Sequence, residues 1–153
     1  MYLSPHLSEE EFLTTQHRDL IAEQWHMWKT GLVIRDNAAT FANDVFEPVR
    51  TLLGVPLHVN SGYRCALLNT AVKGAPTSRH MLGLAADVVP IGMDLGKAME
   101  IIFGAVMHGS LPHLDIAIIE CNAWLHLQGA EVGHRARGKA LASADGKTFT
   151  PYA

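Results

Sequence analysis

Apolar residues recur every three or four positions through two long stretches of the chain, the signature of helices with one buried face. In the first, Phe41, Val45, Val49, Leu52 and Leu53 share a face, with Asp36 or Asn37 as the expected N-cap and Gly54 as the stop. Pro48 lies inside that stripe and should kink or break it. In the second, Asp94 caps a helix that turns Leu95, Ala98, Met99, Ile102, Phe103 and Val106 inward. Nearer the N-terminus, Ser8 and Glu11 have the spacing of a capping box, followed by Phe12, Leu13 and Leu20. Residues 1–35 read as a helical segment, with Trp25 and Trp28 as an aromatic lid over the core.

Strand patterns fall at 57–60, 84–89, 115–120 and 124–128, the last two joined by a turn of Cys121, Asn122 and Ala123. Between the first two, Ser61-Gly62-Tyr63-Arg64 turns the chain, and residues 65–72 form a short helix closed by Gly74 and Pro76. Residues 130–153 are polar, basic and glycine-containing, and are expected to be largely irregular. No repeat or linker interrupts the pattern. The expectation is one α+β domain over residues 1–153, with helices packed on a small, mostly antiparallel sheet.

Composition narrows the function classes. In 153 residues, 48% are hydrophobic, enough for one sizeable core. A formal net charge of −3 gives no basic surplus to grip nucleic acid. No apolar run approaches the roughly 18 residues of a membrane span, and no secretion signal opens the chain. The protein is therefore expected to stay in the cytoplasm or to leave it without a signal peptide. Two cysteines, Cys65 and Cys121, make no disulfide framework and are expected as buried small side chains.

Chemistry concentrates in two segments. In Ser78-Arg79-His80-Met81-Leu82-Gly83-Leu84-Ala85-Ala86-Asp87, an aspartate sits within an apolar strand, where a charge is costly unless paired or metal-bound. In Trp124-Leu125-His126-Leu127-Gln128, alternation puts Trp124, His126 and Gln128 on one face and the leucines on the other. Two histidines and a carboxylate are the donor set of a catalytic zinc site with an open fourth position. On pattern alone, a hydrogen-bonded core aspartate with unrelated surface histidines stays open as the alternative.

These residues resemble the zinc D-Ala-D-Ala carboxypeptidase family, and within it the small phage and bacterial peptidoglycan peptidases. The family motif Ser-x-His-x-x-Gly-x-Ala-x-Asp is matched at Ser78, His80, Gly83, Ala85 and Asp87. The Ser-Gly-Tyr-Arg turn at Ser61 to Arg64, Leu68-Asn69, the acid-ended strand at Glu120 and the Trp-x-His strand at Trp124 to His126 match its flanks. The opening Leu3-Ser4-Pro5-His6 is similar to the start of the phage members.

The resemblance implies one zinc ion held by His80, Asp87 and His126 in a surface groove. It implies Arg64 as the contact to substrate or polarised carbonyl. Ser61 and Ser78 would orient ligand or substrate, with turn and cap roles as the alternative. Tyr63 and Trp124 would line the groove for a stem peptide, with packing as the alternative. Many members carry their catalytic acid three residues before the last histidine, where this chain has Ala123. Glu120 is the nearest acid and the expected general base, Asp115 the runner-up, and a surface carboxylate the competing reading of Glu120.

The expected activity is hydrolysis of peptidoglycan stems or cross-links, as a D,D- or L,D-carboxypeptidase or endopeptidase. The chain is expected to act as a monomer and, if a phage lysin, to wait in the host cytoplasm until released to the wall. The missing acid at position 123 keeps open a zinc-containing wall-binding or phage structural module. A zinc hydrolase of another small amide is a third reading.

Overall fold

The computed structural model describes residues 1–153. The chain opens with a small antiparallel ribbon, β1 (Tyr2–Ser4) against β2 (Leu7–Ser8), where only helix was expected. The capping box forms as predicted at the head of α1 (Glu9–Phe12): the Glu11 backbone N–H donates to Ser8 Oγ, and the Ser8 backbone N–H to the Glu11 carboxylate at 2.9 Å. A 3-10 turn leads into α2 (Ile21–Thr30), which buries Gln24 and Trp28. Trp28 packs edge-on to Phe12 and beside Tyr63, so it belongs to the core and is not a lid above it.

Next come α3 (Leu32–Phe41), a π-helical turn at Ala42–Phe46, and α4 (Glu47–Leu53), a single helical rod. The rod begins at Leu32, so Asp36 and Asn37 lie within it and cap nothing. The break expected at Pro48 is taken up just before it. Proline cannot donate to a carbonyl one turn back, and the wider π turn relieves that conflict without ending the helix. Gly54, with φ of +69°, closes the rod as expected.

The remaining elements are β3 (Leu57–Ser61), α5 (Ala66–Ala71), β4 (Ala85–Pro90), α6 (Leu95–Met107), β5 (Leu114–Glu120), β6 (Trp124–Gly129), β7 (Lys139–Ser143) and β8 (Thr150–Pro151). The strands form one sheet in the order β3-β4-β6-β5-β7-β8, antiparallel except for the β5–β7 pair. The α+β expectation therefore holds. Within the tail expected to be largely irregular, residues 139–143 and 150–151 form two strands. Lys139-Ala140-Leu141-Ala142-Ser143 carries little strand signal of its own. It pairs because the outer edge of β5 would otherwise present unpaired backbone groups.

Alternation along the strands separates the two faces of the sheet. Val59, Ala86, Val88, Ala117, Leu125 and Leu127 join one cluster with Phe41, Val45, Val49, Met99 and Ile102 of the helices. Leu125 and Leu127 are fully buried, each stabilising the fold by about 1.5–3 kcal/mol. The opposite face carries the polar residues described below. No helix is long and apolar enough to cross a membrane.

Candidate metal centre

β4 and β6 are neighbours, and their register sets Asp87 directly opposite His126. Opposed residues share a face, so pairing alone joins these two across the chain. β3 adds Ser61 opposite Asp87. His80 arrives from a 3-10 turn at Arg79–Leu82, whose start is capped by Ser78: the His80 backbone N–H donates to Ser78 Oγ at 3.3 Å. Gly83 ends that turn at φ of +73°, and a Cβ there would sit 2.7 Å from the Ile34 carbonyl oxygen. Only glycine lets the chain swing from the turn into β4.

The hydrogen bonds fix which atoms face the centre. His80 Nδ1 lies 2.7 Å from the Gly62 carbonyl oxygen, which can only accept, so Nδ1 carries the proton and Nε2 is left with its lone pair. Gly62 must be glycine here, because a Cβ would collide with the Phe12 carbonyl oxygen. His80 Nε2 is 3.3 Å from Asp87 Oδ1, and His126 Nδ1 is 3.0 Å from that same oxygen. Asp87 Oδ2 accepts from Arg64 Nη2 at 2.9 Å, and Arg64 Nε donates to Ser61 Oγ at 2.9 Å. His126 Nε2 meets Gln128 Oε1 at 3.3 Å, while Gln128 Nε2 donates to Asp115 Oδ2 at 2.9 Å.

His80, Asp87 and His126 are all buried and offer ligand atoms that lie within 4.8 Å of one another. Ligands of a tetrahedral zinc at its usual bond lengths stand about 3.3 Å apart. The two nitrogen-to-oxygen separations, 3.3 and 3.0 Å, match that edge, and imidazole plus carboxylate is a donor set zinc accepts. The residues therefore fit one zinc ion. Electrostatics point the same way. Burial would raise the Asp87 pKa, but the two histidines that face its Oδ1 hold it far below the usual carboxylate range. Burial lowers the His80 pKa, against the pull of Asp87. At His126 burial also pushes down, but the Asp87 carboxylate beside the ring wins and raises it. The centre is negative ground that favours a cation between the rings.

Glu120 ends β5 opposite Trp124, and Ile118, two residues before it, stands opposite His126. Glu120 thus shares the face of the metal triad. A cavity of about 530 Å³ is lined by Arg64, His80, Asp87, Glu120, Trp124 and His126 among others. Glu120 is half-buried there. Burial raises its pKa, nearby His126 and Arg64 oppose the rise, and Asp87 adds to it.

The family model described as Peptidase M15 matches residues 14–128, which take in every residue of this centre. The chain belongs to the peptidase M15 family. No curated protein matches it. M15 peptidases are zinc-dependent metallopeptidases, so the fit of His80, Asp87 and His126 to zinc agrees with what the family requires.

Within this M15 chain, most of the residues singled out from the sequence converge. Ser78 and Trp124 line the groove, and Ser61 braces the Arg64 guanidinium. Tyr63 does not line the groove. It is 2% exposed against Trp28, because the turn points Arg64 toward the centre and its neighbour into the core. Burial pushes the Tyr63 phenol up to about 12. Ala123 is exposed at the hairpin turn and is not part of the groove wall. Cys65 is buried as expected. Cys121 is exposed, because the tight turn into β6 holds it at φ of +52° outside the core.

Several contributors escaped the sequence reading. Lys73, Asp145 and Phe149 line the groove, the last two from the β7–β8 connection. Asp115, the runner-up base, does not line the groove: it is buried beneath Gln128 and gripped by Arg137. Strand alternation pointed to Gln128, but no pattern joins Arg137 to β5.

Proposed function

We propose that this M15 peptidase hydrolyses peptide bonds of bacterial peptidoglycan, as a D,D- or L,D-carboxypeptidase or endopeptidase of the phage-lysin kind. The observation that carries the reading is the meeting of Glu120, Arg64 and the His80–Asp87–His126 triad in one open groove. Stem peptides bring amide bonds and free carboxylates. Arg64 and Lys73 supply two cations to the same groove, and Trp124 and Phe149 supply apolar surface. The motif resemblance to peptidoglycan peptidases supports the same substrate class.

His80 Nε2, Asp87 Oδ1 and His126 Nδ1 would hold the zinc. Zinc in such a site acidifies water and polarises a peptide carbonyl. Glu120 takes the proton of the attacking water and passes it to the leaving amine; its raised pKa suits both halves of that task. Arg64 keeps N–H groups beyond those given to Asp87 and Ser61, and these stabilise the carbonyl oxygen as charge develops or bind the terminal carboxylate. On this reading the chain works as a monomer and, as a lysin, is held in the host cytoplasm until it gains the wall.

Mass spectrometry of purified muropeptides, digested with and without a chelator, tests the proposal. A chelator-sensitive product is expected. Free D-alanine would mark a carboxypeptidase, and split stems or cross-links without it an endopeptidase. A protein that binds zinc and sacculi yet releases no new amine would replace the enzyme with a wall-binding module.

A further inference from the structure

His126 is unusual among the three proposed ligands in how its ring is held. His80 is fixed by a backbone carbonyl and Asp87 by Arg64. His126 Nε2 instead faces a side-chain amide, Gln128 Oε1, at 3.3 Å. An amide has a donor end and an acceptor end, so by itself it fixes no tautomer. Presented with its NH₂ group, Gln128 would demand an unprotonated Nε2 and push the proton onto Nδ1, the atom that faces Asp87. The centre would then lose one of its lone pairs.

The structure resolves that ambiguity one layer further out. Arg137 closes on Asp115 with three bonds: its backbone N–H at 2.8 Å and Nε at 3.0 Å go to Oδ1, and Nη2 at 2.6 Å goes to Oδ2. Asp115 is 4% exposed, and the Arg137 hydrogen bonds hold its pKa at about 2 against the cost of burial. An ionised carboxylate only accepts. It therefore takes the Gln128 NH₂ group, at 2.9 Å, and turns Gln128 Oε1 toward His126. An oxygen there requires a proton on Nε2 and leaves the Nδ1 lone pair directed at Asp87 and the metal position.

We propose that Arg137, Asp115 and Gln128 form a positioning relay that fixes the His126 tautomer and thereby sets the metal affinity of the centre. The relay rests on the zinc reading of that centre. None of its members belongs to the proposed ligand set; each acts through the next. It also gives the segment after β6 a part in the site, since Arg137 lies beyond residues 14–128 of the family match. Groups that hold the far nitrogen of a metal-bound histidine commonly change affinity by about 10–100-fold when removed.

The test is zinc affinity of the full chain by competition with a chromophoric chelator, together with long-range proton–nitrogen NMR of the zinc form. For wild type we expect a protonated, slowly exchanging Nε2 on His126 and a protonated Nδ1 on His80. Gln128→Leu should bind zinc about 10–100-fold more weakly. It should lose the His126 Nε2 proton signal and keep that of His80 Nδ1. Arg137→Ala, at an exposed position, should keep the fold and shift affinity in the same direction by less, with Arg137→Lys recovering part of the loss. A general loss of folding would disturb both histidine signals; the relay disturbs one. If wild type binds zinc and both Gln128→Leu and Arg137→Ala bind it within about twofold, with His126 signals unchanged, the relay is overturned while the metal centre stands. If wild type binds no zinc, the metal reading falls and the relay with it.

Discussion

Glu120 reaches the groove from the end of β5, not from the β6 approach where Ala123 stands, and beyond the triad's own Asp87 it shares the groove lining with one other acid, Asp145. Replacing it with glutamine keeps the shape and removes the proton carrier. Glu120→Gln should lower kcat by about 10²–10⁴ while zinc content stays at one per chain, measured by muropeptide cleavage and metal analysis. Loss of zinc in that variant would make Glu120 a ligand instead. A second single-residue effect concerns Asp115, whose pKa lies at about 2 instead of the model-peptide 3.8 because Arg137 outweighs its burial. A carboxyl with a depressed folded pKa gives stability that is present above its unfolded pKa and lost as pH falls through the folded one. Allowing for the exposed Arg137 guanidinium, the contribution is on the order of 1–2 kcal/mol. Urea unfolding should therefore show Asp115→Asn less stable than wild type at neutral pH, with the gap closing between pH 4 and pH 2. A constant gap across that range would assign the loss to packing alone.

At the scale of elements, the turn from His80 to β4 is the joint on which the site depends. Gly83 takes a left-handed conformation and passes close to the Ile34 carbonyl of α3. Gly83→Ala adds left-handed strain of about 1–2 kcal/mol before the contact with Ile34 is relieved. Denaturant titration should show at least that loss, and zinc affinity should fall with it, because relieving the contact moves His80 relative to Asp87. An unchanged midpoint would mean α3 yields freely at this point. The glycine was legible as a turn from the sequence; Asp87 and His126 drew notice as a charge in an apolar strand and a residue of an alternating strand, but pattern alone left them open and the family motif singled them out. The π turn before Pro48 was legible only as a disturbance. Its width is decided by how α3 and α4 both reach the core. Strand β7 was not legible at all: Ala140 and Ala142 pair because β5 lies beside them in space. Tyr63 stayed open between groove and packing for the same reason, since a four-residue turn does not tell which of its side chains the core will take.

In the whole molecule, the sheet divides the labour. One face is sealed by the α3–α4 rod and α6; the other assembles its site from β3, β4, β5, β6 and the turn bearing His80. The site elements are thus tied to one another on one face by the pairing that builds the core on the other. Holding a metal there should stabilise the whole fold and not only the groove, because the ligands span His80 to His126 and no unfolded chain presents them together. With free zinc about a thousandfold above its dissociation constant, linkage adds about 4 kcal/mol. For a domain of this size each kcal/mol moves Tm by about 2–4 °C, so the zinc form should melt roughly 10 °C above the chelated form. His126→Ala should abolish most of that difference, because two remaining donors bind zinc weakly. It should also lower the chelated protein's Tm, since losing the buried ring leaves Asp87 short of a partner and opens a cavity, so the readout is the zinc-dependent difference within each protein. Thermal melts of both proteins, with zinc and with chelator, separate these outcomes. A zinc-independent Tm in wild type would mean that the face opposite the core is preorganised but holds no metal.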